Sequence, residues 1–128
     1  MPIRPNRFPS AYRVQRAADF RRAFRRRLST ADERMVIYGH ANGLPHPRLG
    51  LSVSRRMGGA VVRNRWKRLL REAFRLSRER LPAGVDLIVI PRPEAEPSLR
   101  QLMDSLPRLA ARVAGRLARE SDASPPPR

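Results

Sequence analysis

The spacing of apolar positions changes several times along this chain, and each change marks another element. Phe20 and Phe24 stand four apart within Ala17–Arg27, which predicts a short helix with Asp19 in its first turn and Arg25, Arg26 and Arg27 in its last. Residues 29–33 read as a loop. Over Arg34–Ala41 the period drops to two, with Met35 and Ile37 on one face of a strand and Val36, Tyr38 and His40 on the other. Asn42–Pro47 is a turn, and Arg48–Ser54 is a second strand expected to pair with the first as a hairpin. In it Leu49, Leu51 and Val53 alternate with Gly50, Ser52 and Ser54. A face of small residues leaves room for something to lie across the sheet, and one-sided burial accounts for the same pattern.

From Ala60 the period lengthens to that of a helix running to about Arg80. At about 100° per residue, Val62, Trp66, Leu69, Leu70, Ala73 and Phe74 share one face. Arg63, Asn64, Lys67, Arg68, Arg71, Arg75 and Arg78 share an adjoining face, and Arg65, Glu72 and Glu79 fall beyond its far edge. Such a helix docks by its apolar side and offers the basic side to an anion. Arg55, Arg56, Met57, Gly58 and Gly59 link into it. Val85–Ile90 is nearly all apolar, so it is expected in the middle of a sheet, covered on both faces. Strand, helix and buried strand in succession suggest a βαβ unit with parallel pairing. A last helix, about Ser98 to Arg119, carries Leu99, Leu102, Leu106, Leu109, Val113 and Leu117 behind Ser98 as N-cap, with Pro107 expected to kink or split it.

Charge sharpens this picture. The chain has 128 residues with 28 basic and 11 acidic side chains, a formal net charge of +17. Self-repulsion of that size points to a polyanionic partner. Lys67 is the sole lysine. Arginine suits RNA through bidentate phosphate contacts and stacking, although base composition of the genome explains a preference for Arg over Lys equally well. Cysteine is absent, as expected for a reducing cytoplasm. No apolar run approaches the roughly 18 residues of a membrane span, and the basic N-terminus lacks a signal-type apolar stretch. Residues 1–11 are expected to be a flexible basic segment, 12–119 one domain, and 120–128 a disordered proline-rich tail.

No catalytic constellation emerges from the protein's own residues. His40 and His46 are the only imidazoles, and no acid near either is apparent from the sequence. Glu94 and Glu96 sit in a proline-rich loop, Ser52 and Ser54 lack a base partner, and the glycines at 58–59 lack the ending of a phosphate-binding loop. Any bond-breaking groups must then come from another molecule.

The run Leu49-Gly50-Leu51-Ser52-Val53-Ser54-Arg55-Arg56, then Gly58, then Ala60 to Arg75 with its Arg63-Asn64-Arg65-x-Lys67-Arg68-x-x-Arg71 core, closely resembles the signature of the bacterial ribonuclease P protein subunit. The upstream Asp19-Phe20-x-x-x-Phe24 helix and the strand with Val36 and Tyr38 resemble that family too, so the likeness spans about residues 12–118. It implies an α+β fold: a two-layer αβ sandwich with a mixed, roughly four-stranded sheet, an N-terminal helix, the basic helix in a left-handed βαβ crossover, and a C-terminal helix. It implies a partner, the catalytic ribonuclease P RNA, whose Mg²⁺-dependent chemistry removes the 5′ leader of precursor tRNA.

Carried onto this chain, the motif implies RNA contacts from Arg63, Asn64, Arg65, Lys67, Arg68 and Arg71, with Arg55, Arg56 and Arg75 on the same basic surface. Phe20, Phe24, Val36 and Tyr38 would line the groove for the single-stranded leader; alternatively, the two phenylalanines are core residues. Mg²⁺ would be bound mainly by the RNA, with an indirect contact near Arg63 and Asn64 left open. The implied setting is cytoplasmic, with no membrane contact and no obligate protein partner. The chain departs from the family at Gly59, often polar or basic in relatives, and at Pro107, where relatives usually keep a continuous helix. Arg65, off the main basic arc, could instead pair with Glu72 or contact a different segment of the RNA. A structural RNA-binding protein such as a ribosomal component, or a DNA-binding regulator using helix 61–80, are the competing expectations.

Overall fold

The computed structural model describes residues 9–123. Its elements are α1 (Ala17–Arg26), β1 (Ser29–Ala31), β2 (Met35–Ala41), β3 (Arg48–Leu51), α2 (Ala60–Ser77), β4 (Val85–Pro91) and α3 (Leu99–Ala123). The sheet order is β1-β2-β4-β3, with β4 antiparallel to β2 and parallel to β3. Leu87, Ile88 and Val89 are fully buried, so β4 takes the central place its unbroken apolar run requires. The β3–α2–β4 unit with parallel pairing is present.

The expected hairpin between the second and third strands is not. β4 lies between them, and residues 42–47 carry the chain past its end, a span of about 10 Å at two strand spacings. Two backbone bonds hold that passage, Asn42 N to Gly84 O at 2.9 Å and Gly84 N to His46 O at 3.4 Å. Alternation tells which face a strand buries, but not which strand lies beside it. Residues 29–33, expected as loop, contain β1, paired antiparallel with β2. Asp32 closes this hairpin by accepting from the N–H groups of Arg34 (2.8 Å) and Met35 (3.0 Å).

α2 and α3 pack side by side on one sheet face. Trp66, Leu70, Ala73 and Phe74 from α2 and Leu102, Leu106, Leu109 and Val113 from α3 close over Met35, Ile37, Leu49, Leu87 and Val89. Val62, expected on the same apolar face, is 43% exposed; it leans on Gly58 in the lead-in turn instead. Ser98 does cap α3, accepting from the Gln101 N–H at 3.4 Å. Pro107 does not split that helix, because fully buried Leu106, Leu109 and Ala110 anchor it on both sides of the missing donor. The helix also continues past Arg119 to Ala123.

The lead-in is tied to the fold from residue 9 onward. A short turn at Ser10–Tyr12 precedes Arg13, and Val14 N donates to Leu49 O at 2.9 Å, lengthening the β3 edge. The expected flexible segment and tail fall mostly on residues 1–8 and 124–128, outside the described residues.

Candidate nucleic-acid interface

On the sheet face away from α2 and α3, side chains stand in rows across the strands. Register places His40, Asp86 and Arg48 in one row, then Tyr38, Ile88 and Gly50 in the next. The third row is Ala31, Val36 and Ile90, continued by Ser52, whose N–H donates to Val89 O at 3.0 Å. α1 crosses above the first two rows only.

The first row is locked. Asp86 is fully buried and accepts from Arg48 Nε at 2.7 Å, Arg48 Nη2 at 2.5 Å and Asn42 Nδ2 at 2.9 Å. The Asp86 bond holds the Arg48 proton more tightly than usual against the opposing effect of burial. Asp19 of α1 stands 3.6 Å from the same guanidinium and so fixes the helix over this row. His40 Nδ1 donates to Ala41 O, and its Nε2 lies 3.8 Å from Asp86 Oδ2. An acid therefore does stand beside His40, contrary to the sequence reading, because strand pairing joins residues 46 positions apart. Both groups are sealed from solvent, so no substrate reaches them.

The second row seats the aromatics. A Cβ at Gly50 would lie 2.6 Å from Ile88 Cδ1, 3.0 Å from Val14 Cβ and 3.1 Å from Phe20 Cζ. The small residue thus makes the place for Phe20, which is half-buried against Val14, Ala23 and Ile88. Phe24 meets Tyr38 nearly edge-on, centroids 5.0 Å apart at 72°, and stays 36% exposed. Beyond α1 the third row is uncovered: Val36, Ile90 and Ser52 are half-buried and Ala31 is exposed. The result is an apolar trough running beside α1, with Phe24 and Tyr38 on its wall. Phe24 and Tyr38 meet at the border of this opening and Val36 lies in it, whereas Phe20 packs under α1 against Val14, Ala23 and Ile88, the core placement left as the alternative. Ser52 stands on the small-residue face expected to leave room above the sheet, while Ile90 carried no such signal and is found only through its register with Val36.

The basic flank of α2 borders an open cleft of about 620 Å³ lined by Arg13, Asn64, Lys67, Arg68, Leu69, Arg71, Glu72 and Arg75. A notch of about 190 Å³ at the β3 edge shares Arg13, Lys67 and Arg71 with that cleft and is bordered on its α1 side by Phe20. Burial and the nearby charge of Arg13 together make Arg71 easier to deprotonate than usual. An anion placed there would relieve that repulsion. Arg63 Nε is shielded from solvent with no acceptor among the described residues. Arg55, Arg56, Arg65 and Arg68 are exposed, the first two in a short turn ahead of α2.

Glu72 corrects the helical projection twice. It lines the basic cleft rather than standing beyond it, and it pairs with Arg75, at 3.2 Å and 2.5 Å, rather than with Arg65. One helical turn brings residue 75, not residue 65, alongside it. That bond raises the Arg75 pKa and occupies its fork, leaving Arg65 to face outward. Arg13, which borders both cavities, carries no sequence signal beyond its charge.

Among the described residues no three His, Cys, Asp or Glu side chains gather as metal ligands. Around Arg63 and Asn64 the donor set is one amide oxygen among guanidiniums, which does not fit a directly held Mg²⁺. No helix is long and apolar enough to cross a membrane, again among the described residues.

An α+β domain of net charge +17, with a cationic helix flank and a half-open apolar strip beside α1, has the charge and surface of the polyanion-binding class. The family model described as Ribonuclease P matches residues 8–114. The ribonuclease P protein component of Staphylococcus haemolyticus is 42% identical over 86 residues, 67% of this chain and 75% of that protein. The solved RNase P protein of Thermotoga maritima superposes with a TM-score of 0.70 at 32% identity, covering 78% of this chain and 96% of the other. That of Staphylococcus aureus gives 0.69 at 36%, covering 80% and 94%. The chain belongs to the ribonuclease P protein family.

Proposed function

We propose that this chain is the protein subunit of ribonuclease P, binding the catalytic RNA through the α2 flank and the 5′ leader of precursor tRNA in the trough. The observation that carries the reading is the notch at the β3 edge, where Phe20, from the aromatic row under α1, and Lys67 and Arg71 of the basic cleft line one cavity. A strand leaving the trough runs directly onto phosphate-binding side chains. Arg63, Asn64, Arg65, Lys67, Arg68 and Arg71, with Arg55 and Arg56, set affinity through phosphates. Phe24, Tyr38, Val36 and Ile90 receive unstacked bases with little sequence preference. Arg75 contributes less than its neighbours because Glu72 already engages it.

The RNA subunit supplies the Mg²⁺ sites and the bond cleavage, in the cytoplasm. The protein's part is to place and neutralise. Family membership weighs against a purely structural RNA-binding role.

Adding the purified chain to a bacterial ribonuclease P RNA at low Mg²⁺ tests the reading. Release of the leader from a precursor tRNA should rise sharply. RNA binding without any stimulation would instead favour the structural role, and preference for duplex DNA would favour the regulator.

A further inference from the structure

The two flanks of α1 differ in how their charges are matched. On the flank above the locked row, Asp19 approaches Arg48 at 3.6 Å and Arg22 at 3.8 Å, and Arg26 pairs with Glu120 at 2.8 Å. Winding α1 at about 100° per residue puts Arg21 and Arg25 roughly 100° and 140° from the Phe20 direction, on the side opposite Asp19. Because Asp19 faces the His40–Asp86–Arg48 row, that opposite side overlooks the uncovered third row. Phe24 leans the same way, which agrees with its 36% exposure. Arg21 and Arg25 are exposed, and among the described residues neither has an ion-pair partner. Four residues at about 1.5 Å each set them about 6 Å apart along the helix axis, a spacing suited to successive phosphates of an extended strand.

We infer that Arg21 and Arg25 form a second cationic rail along the trough, gripping the backbone phosphates of the single strand whose bases rest on Val36, Ile90 and Tyr38. The strand is then held from two sides, by the α1 rail over the trough and by Lys67 and Arg71 where it leaves at the β3 edge. This rests on the proposed function above and extends it to residues that the family motif does not single out.

The test uses the chain assembled with a bacterial ribonuclease P RNA, as wild type, as R21Q/R25Q, and as the opposite-flank pair R22Q/R26Q. Affinity is measured for a precursor tRNA with a leader and for the leaderless tRNA across a salt series. The R21Q/R25Q protein should bind the leader-bearing substrate about tenfold more weakly and lose about 1.4 units of salt slope, two single-strand contacts at about 0.7 each. Its leaderless affinity and its affinity for the RNA subunit should match wild type, and R22Q/R26Q should behave as wild type throughout. An unchanged leader affinity, an equal loss for leaderless tRNA, or a loss of RNA-subunit binding would overturn the rail. If wild type itself does not distinguish the two substrates, the trough reading fails as well.

Discussion

Under α2 and α3, Met35, Ile37, Leu87 and Val89 are all sealed from solvent; on the reverse of the same strands, burial stops at Ile88, and the neighbouring Val36 and Ile90 stay half open. The strands are the same, so the difference lies in the cover. Two helices of 18 and 25 residues span the first face, while α1 has 10 residues and works alone. A helix about 10 Å across shields roughly two rows spaced by about 6.6 Å, and the third is left bare. An apolar row is thus kept in reach of solvent by the width of one helix. One face serves stability and the other serves binding.

That division can be broken by substitution on each side. Phe74→Ala removes a fully buried ring beneath α2 and should cost about 3–5 kcal/mol in denaturant unfolding. Changing Arg63, Lys67 and Arg68 together to Ala should leave the unfolding midpoint nearly unmoved, yet reduce the salt slope of RNA binding by about two to three units. An unchanged slope would remove these residues from the interface.

Asp32 sharpens the contrast from the stable side. Burial raises its pKa, but hydrogen bonds from Ser105, the N–H groups of Arg34 and Met35, and Arg108 outweigh that and leave it below the usual carboxylate value. The stabilisation it provides is therefore present above the unfolded pKa of about 3.9 and is lost as pH falls through the lower folded value. Asp32→Ala should cost about 2 kcal/mol at pH 7, and its deficit relative to wild type should shrink in melts below about pH 4. Phe24→Ala should cost less than Asp32→Ala, about 1 kcal/mol. It should still weaken leader-bearing substrate while sparing mature tRNA, and an equal loss for both would make Phe24 a core residue.

Much of this architecture can be read from residues alone. The apolar run Val85–Ile90 states that β4 is central, and the spacing of Trp66, Leu70, Ala73 and Phe74 states which side of α2 docks. Strand order is different in kind. Nothing in the alternation of Arg34–Ala41 and Arg48–Ser54 says that a strand forty residues later will separate them. For the same reason the His40–Asp86 approach and the place of Ile90 in the trough are invisible until register is known. Glu72 turned out differently because its projection from a helical wheel ignored where its own carboxylate would reach: one turn along, to Arg75. The contacts of Phe20 depend on Gly50, whose small size was visible but whose occupant was not.

The half-open face carries the functional claim, and it can be addressed with a photo-crosslinking residue in place of Val36, in the chain assembled with ribonuclease P RNA and leader-labelled precursor tRNA. A matched probe replaces Arg112 on the exposed side of α3. The account predicts crosslinks from position 36 to leader nucleotides and none from position 112. Crosslinks from position 36 confined to the mature tRNA body, or absent while cleavage proceeds, would contradict it.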